Sequence, residues 1–282
     1  MINIKDSLLE ETKKILRDNG IWLNRKLSQS FIIDPRYVWK HLVSAQLTKN
    51  DIVLEIGSGI GTLTEKVAPL VKRLYSIEID ERFIGILKNR LINHSNVEII
   101  HGDALNVDLP FFNKIVANIP YAISSPLTFK LLTCNFELGI MMYQFEFAKR
   151  LTAKPGSEYY GRLSVNVNLR SEITLLEKVP RTAFFPKPRV DSALVKIIPK
   201  KNMVVKSSFQ DFTKVVDGLF PYRNKKVRSA AKHFLYNTGV EKNFIKTLLE
   251  AIPFRDVRVK DLDINMIEEI AQYLLRKGGS EH

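Results

Sequence analysis

The chain runs to 282 residues, enough for one large domain and a smaller companion. A hydrophobic fraction of 45% and a mean hydropathy of −0.08 describe a globular composition, and no apolar run nears the ~18 residues of a membrane span. Lys and Arg total 43 against 30 Asp and Glu, and the resulting charge of +13 points to a polyanion, nucleic acid ahead of a membrane surface, although a merely basic surface would give the same sum.

In chain order, "MINIKDSLLEETKKILRDNG" carries acids and no long apolar stretch, so it reads as a helical extension over 1–24 and not as a signal peptide; a cytoplasmic location is expected. From Asp51 short apolar runs alternate with helix-like stretches: "DIVLEIG", a helix from about Thr62, "RLYSIEI", a helix from Glu81, then "VEIIHGD", "KIVANIP" and "LGIMMYQ". Ile- and Val-rich runs separated by helices predict a mostly parallel sheet in an α/β sandwich. "ITLLEKVP" and "SALVKIIP" are joined too closely for a helical crossover and are expected to pair antiparallel. After Pro199 the period becomes helical in "FQDFTKVVDGLF", "NKKVRSAAKHFLYN", "EKNFIKTLLEAI" and "DINMIEEIAQYLLRK". The expected organisation is a catalytic domain over 25–202 and a helical, RNA-binding domain over 203–282. The lone Cys134 excludes an internal disulfide and a cysteine zinc cluster, and the scattered histidines imply no metal. No zipper-like seam suggests a dimer, so a monomer is expected.

"VLEIGSGIGTLTEKV" places Gly57, Gly59 and Gly61 between a buried strand and a helix, where positive φ and close ligand approach are useful. The spacing is G-x-G-x-G followed by Thr62, whereas the dinucleotide fingerprint wants Gly or Ala there. Glu78 closes the second strand and could accept from both hydroxyls of a ribose. Asp103 closes the third and could accept from an adenine amine, though either acid alone also suits a helix cap. Together they describe an adenosine pocket. "VLEIGSGIGTLT", "IEID", "GDAL" and "NIPY", in this order, resemble an S-adenosylmethionine-dependent methyltransferase of the Rossmann type; NAD is the weaker choice because no nicotinamide-side machinery is visible.

The tetrad Asn118-Ile119-Pro120-Tyr121 fits methylation of an exocyclic amine. The lone pair of adenine N6 is delocalised into the ring, and acceptors on its hydrogens favour a pyramidal nitrogen. The Asn118 side-chain carbonyl and the Ile119 backbone carbonyl could be those acceptors, Pro120 fixes the backbone, and Tyr121 could stack on the extruded base. With "RKLSQSFIID", "MMYQFEFAKRL", "YGRLSVNV" and "AFFPKPRVDSALV", the chain resembles the ribosomal small-subunit RNA adenine dimethyltransferases, most closely their archaeal type, over residues 25 to 200. That resemblance implies N6,N6-dimethylation of two adjacent adenosines in the 3′-terminal hairpin loop of small-subunit rRNA, with S-adenosyl-L-methionine as donor, in small-subunit biogenesis. It assigns cofactor contacts to Gln29, Ser30, Ile32, Gly57, Gly59, Glu78, Ile79, Asp103, Ala104 and Asn118, and a second base-lining aromatic to Phe184. Ser30 stands where the family often has Asn, and Ser28 where it has Gly, which weakens the match in that turn.

Phosphate contacts are expected from Lys149 and Arg150, from Lys187 and Arg189, and from Arg223, Lys225, Lys226, Arg228 and Lys232, with Lys225, Arg228 and Lys232 on one helix face. Two alternatives share these features: a large-subunit rRNA adenine methyltransferase of the macrolide-resistance type, and a non-catalytic RNA-binding assembly factor.

Overall fold

The computed structural model describes residues 4–23, 29–201 and 205–278. Ser28 and the expected domain boundaries at 24/25 and 202/203 lie outside them. By contacts the chain divides into two units, Met1–Ala148 with Glu172–Pro199, and Lys149–Ser171 with Lys200–His282.

The first unit is built on β2 (Ile52–Ile56), β3 (Arg73–Glu78), β4 (Val97–His101), β5 (Lys114–Asn118), β6 (Leu138–Gln144), β7 (Ser171–Val179) and β9 (Ser192–Pro199), in the order β4-β3-β2-β5-β6-β9-β7. The pairs β2–β3, β3–β4, β2–β5 and β5–β6 are parallel, and β9 runs antiparallel to β6. The strands expected from the sequence therefore form, β9 lying beside β7. Central strands carry apolar residues on both faces because both are covered: Val53, Leu54, Ile115, Val116, Ile140 and Met142 are all buried. Strand order reverses between β2 and β5, the place where an open α/β sheet leaves a crevice at its carboxyl edge.

Two local features depart from simple expectation. The helix after the glycine turn is only Thr64–Val67, giving way to a tighter turn at Ala68–Leu70 in which Pro69 has no N–H to continue the ladder. A separate two-stranded ribbon joins β1 (Phe31–Ile32) to β8 (Phe184–Phe185), with Phe31 opposite Phe185 and Ile32 opposite Phe184. The N-terminal helix, Ile4–Asp18, packs Leu8 and Leu16 on the first unit, and Arg90 ties it to Glu11 at 2.7 Å while also holding Glu65.

The second unit contains the helices Phe209–Leu219, Val227–Asn237, Lys242–Ala251 and Ile264–Gly278, as the periodicity indicates. Helix Arg162–Arg170, assigned from sequence to the catalytic domain, belongs to this core: Tyr160, Val165 and Leu169 cluster with Phe212, Val216 and Leu235. Its apolar positions find their partners there, which a strand-helix alternation along the chain does not reveal.

At the amino edge of the sheet, Lys114 meets Asp51 at 3.0 Å with both side chains nearly buried. Burial opposes charge on Asp51, but the Asn113 amide, the Thr48 N–H and the Lys114 ammonium outweigh it and hold the carboxyl below its ordinary value. Lys114→Ala should lower unfolding free energy by about 3 kcal/mol in urea titration, because it strands a buried charge. In the wild type the Asp51 contribution is present above the ordinary carboxylate pKa and is lost as pH falls through the depressed one; Asp51→Asn should flatten that acid limb.

Candidate active site

The pocket begins at the turn leaving β2. Gly57, Gly59 and Gly61 have φ of +75°, +55° and +83°, which disfavours any side chain. Space forbids one as well: a Cβ on Gly57 would lie 2.8 Å from Pro120 Cγ, and one on Gly59 would lie 2.6 Å from Phe31 Cε1. The turn is thus packed against both the tetrad and β1, and bare backbone faces the cavity.

Glu78, at the end of β3, accepts from the Gly59 N–H at 2.7 Å and the Asp80 N–H at 2.9 Å. Burial nonetheless raises its pKa, the backbone bonds only partly offsetting the lost hydration. Asp80 caps helix Glu81–Arg90, pairs with Arg82 and accepts from Gln29 Nε2 at 2.6 Å. Arg82 also donates to the Trp22 carbonyl, so the chain leading into β1 is fastened beside the pocket. Asp103 turns the chain after β4 by accepting from the Leu105 N–H and Asn106 Nδ2, both at 2.9 Å. Ile79, 49% exposed although apolar, and buried Ala104 complete this side of the wall.

These elements enclose a cavity of about 170 Å³ whose wall includes Gln29, Ser30, Ile32, Glu78, Asp103 and Asn118. Asn118 ends β5. Its Nδ2 donates to the Ser30 carbonyl at 3.0 Å, and Oδ1 is buried without a partner among the described residues. Ser30 is itself held by donating to the Pro186 carbonyl at 2.8 Å. Ile119 is buried and donates its N–H to Met142, Pro120 has φ −58°, and Tyr121 shares a 2.5 Å hydrogen bond with Ser192. Burial pushes the Tyr121 phenol up to about 12 against the opposing effect of Ser192, so the ring stays neutral at any physiological pH.

Phe184 does not join this wall. The pleat of β8 sets its ring in the core cluster with Ile32, Val38 and Leu194, where it is 2% exposed. Among the basic residues, Lys187, Arg189 and Arg150 are exposed, and Lys149 donates to the Tyr159 hydroxyl at 3.0 Å. Arg223 is committed to the backbone, donating to the carbonyls of Tyr160 and Glu158. Lys226 and Arg228 share Asp256 at 3.0 and 3.5 Å. The helix starts at Val227 with Lys226 as its cap, so Lys225 precedes it and does not extend the expected helical face.

The model of the family described as "Ribosomal RNA adenine dimethylase" matches residues 21–272. The chain belongs to the ribosomal RNA adenine dimethylase family. Among relatives, the "Probable ribosomal RNA small subunit methyltransferase A" of Pyrococcus furiosus is 43% identical, covering 90% of this chain and 92% of that one. Its counterpart from Methanococcoides burtonii is 41% identical over 94% and 97%. The crystal structure of a dimethyladenosine transferase from Plasmodium falciparum has a TM-score of 0.78 and 34% identity, covering 87% of this chain and 97% of that one. The 23S rRNA methyltransferase ErmE gives a TM-score of 0.67 at 25% identity, over 86% and 99%.

Two polar side chains in the cavity wall, Glu55 and Thr62, are not among the site residues expected from the sequence of this dimethylase-family chain. Glu55, in the otherwise apolar β2, is 2% exposed, and among the described residues its Oε2 and the buried Thr62 hydroxyl have no hydrogen-bond partner. A carboxylate among Val53, Leu54 and Ile56 is the signal that marks Glu55. Burial pushes its pKa up to about 8, the Glu78 charge adding to this and the Thr64 hydroxyl opposing it. The folded state then holds a proton that the unfolded state has released between pH 4.5 and 8. Over that window stability should fall as pH rises, by at most about 1.4 kcal/mol per pH unit. Glu55→Gln should remove this slope in thermal or urea unfolding from pH 5 to 8; an unchanged slope would assign it to other groups.

Proposed function

We propose that the chain is an S-adenosyl-L-methionine-dependent rRNA adenine N6,N6-dimethyltransferase. Its substrate is two adjacent adenosines in the 3′-terminal hairpin loop of small-subunit rRNA, modified in the cytoplasm during small-subunit biogenesis. The observation that carries the reading is Asn118 Oδ1, a buried acceptor without a partner among the described residues, whose amide is oriented by its bond to Ser30.

The residues present fit the cofactor. Gly57 and Gly59 leave backbone where a side chain would clash, the Glu78 carboxylate suits ribose hydroxyls, and Ile79 with Ala104 offers an apolar surface to an adenine whose amine Asp103 accepts. Gln29, Ser30 and Ile32 close the pocket from the N-terminal side, while Thr62 and Glu55 suit the amino-acid end. When bound, the cofactor supplies an electrophilic methyl on a sulfonium.

The tetrad acts on the target base. Asn118 Oδ1 and the Ile119 carbonyl accept the two N6 hydrogens and hold the nitrogen pyramidal, its lone pair directed out of the ring plane. Tyr121 stacks on the extruded base, and its hydroxyl, fixed by Ser192, keeps the ring from turning. N6 is the nucleophile: on taking the methyl it would become an ammonium, the carbon–sulfur bond breaking to leave a neutral thioether, and its proton would pass to water, so no strong base is needed and positioning with electrostatics carries the rate. After the first transfer one N–H remains for one of the two acceptors. Lys187 and Arg189, exposed on the same unit, suit phosphate contacts.

The preference for the small subunit is supported by relatives named for it at 41 and 43% identity, against 25% for the enzyme named for 23S rRNA. Methyl-labelled S-adenosylmethionine with unmodified small ribosomal subunits should yield labelled dimethyladenosine. Asn118→Ala should lower the rate about 100-fold or more, on the scale of removing one transition-state hydrogen bond. Label in large subunits instead would transfer the assignment to the 23S-type activity. Cofactor binding without label in either subunit would favour a non-catalytic assembly factor.

A further inference from the structure

The basic cluster of the second unit separates into two chemically different halves. Arg223, Lys226 and Arg228 already have partners in backbone carbonyls and Asp256. Lys225 and Lys232 make no ion pair among the described residues; each instead stands over an aromatic ring, Lys225 at 5.6 Å from the Tyr222 centroid and Lys232 at 5.9 Å from that of Tyr236. Tyr222 in turn stacks on His233 at 4.2 Å with 14° between the planes. Lys232, His233 and Tyr236 occupy positions i, i+1 and i+4 on the solvent side of helix Val227–Asn237, whose other side buries Ala230, Ala231, Phe234 and Leu235. Tyr236 is 43% exposed and contributes nothing to the apolar core of this unit.

One exposed ring and two half-buried ones, interleaved with cations that make no ion pair among the described residues, have a definite complement. An aliphatic or acidic peptide would use the rings or the charges, but a strand of unpaired RNA uses both, its bases stacking while its phosphates meet the ammoniums. Lys232 over one face of Tyr236 leaves the other face for a base, and the Tyr222–His233 stack stands on the same side of the helix. We infer that Tyr222, Lys225, Lys232, His233 and Tyr236 form a platform for unpaired rRNA, with Tyr236 stacking on a base and the two lysines holding flanking phosphates. The platform rests on the rRNA reading and adds to it a contact outside the methyl-transfer pocket. It also divides labour within the cluster: Lys226 and Arg228 hold the loop bearing Asp256, and Lys225 and Lys232 face the polyanion.

The test is fluorescence anisotropy of the full chain with a labelled small-subunit 3′-terminal rRNA fragment carrying its single-stranded flank, across a salt series. Tyr236→Ala should weaken binding at least ~5-fold with little change in the salt slope, and Tyr236→Phe should restore it, since stacking needs only the ring. The pair Lys225→Ala with Lys232→Ala should lower the magnitude of the salt slope by about 1.4, as expected for two phosphates of a single strand. The pair Lys226→Ala with Arg228→Ala should lower it much less. Unchanged S-adenosylmethionine affinity in every variant verifies the first unit. The platform is overturned if Tyr236→Ala binds as tightly as wild type, or if both charge pairs flatten the slope equally, in a protein that still methylates small subunits. Weakened binding to whole subunits with naked RNA unaffected would place a ribosomal protein on this face and overturn it too. A wild type that neither binds nor methylates this RNA overturns the rRNA reading, and the platform with it.

Discussion

The close approach of Pro120 to Gly57 organises the first unit. With 2.8 Å between the proline ring and the place where a Cβ would stand, the turn leaving β2 and the turn leaving β5 share one packing contact at the point where strand order reverses. In the proposed reading one of those turns faces the cofactor and the other carries the tetrad. Reacting groups on two ligands must meet within a few tenths of an ångström, and a rigid contact between adjacent strand ends achieves this better than two independent loops would. Glycine at 57 is thus required twice, by its positive φ and by its neighbour.

The other wall is made by a segment far away in sequence. Gln29 is fastened to Asp80, Ser30 to the Pro186 carbonyl, and Phe31 presses on Gly59, so the N-terminal strap is held by three different elements. Its most consequential bond is the one the Ser30 carbonyl accepts from Asn118. That bond uses one of the amide's two N–H donors and fixes its orientation, with the Oδ1 acceptor buried and unpaired among the described residues, a state that costs stability in the absence of a ligand. Ser30 performs this orientation through its backbone, and a side chain in place of the family's frequent Asn leaves it intact. The departure in that turn therefore bears on the contact to Pro186 more than on the tetrad.

Much of this was legible in the sequence because it is local. Buried strands, the glycine turn, Glu78 and Asp103 at strand ends, and the tetrad each follow from a few consecutive residues, and so do the C-terminal helices. What escaped depends on distant partners. Phe184 and Phe185 are adjacent, and only the pairing with β1 decides which ring faces the core. Helix Arg162–Arg170 looks like any amphipathic segment until its apolar face meets residues some fifty positions later. Glu55 stood in plain view, yet a carboxylate in a strand pattern reads as an imperfection unless the strand is known to be central and the side chain to be buried in the cavity wall.

Net charge was the least local signal and the one most in need of structure. An excess of +13 states that the surface is basic without saying which cations remain available. Asp256, nearly thirty residues beyond the basic run, takes up Lys226 and Arg228, and the guanidinium of Arg223 is spent on two carbonyls. Exposed ion pairs of this kind add little to stability, but they lower the local field and tether long side chains. A cation held in that way must break a contact to meet a phosphate, whereas one lying over an aromatic ring keeps its charge and can accept a second neighbour. The same count of lysines and arginines therefore supports very different surfaces, and the distinction rests on where the acids and rings fold to.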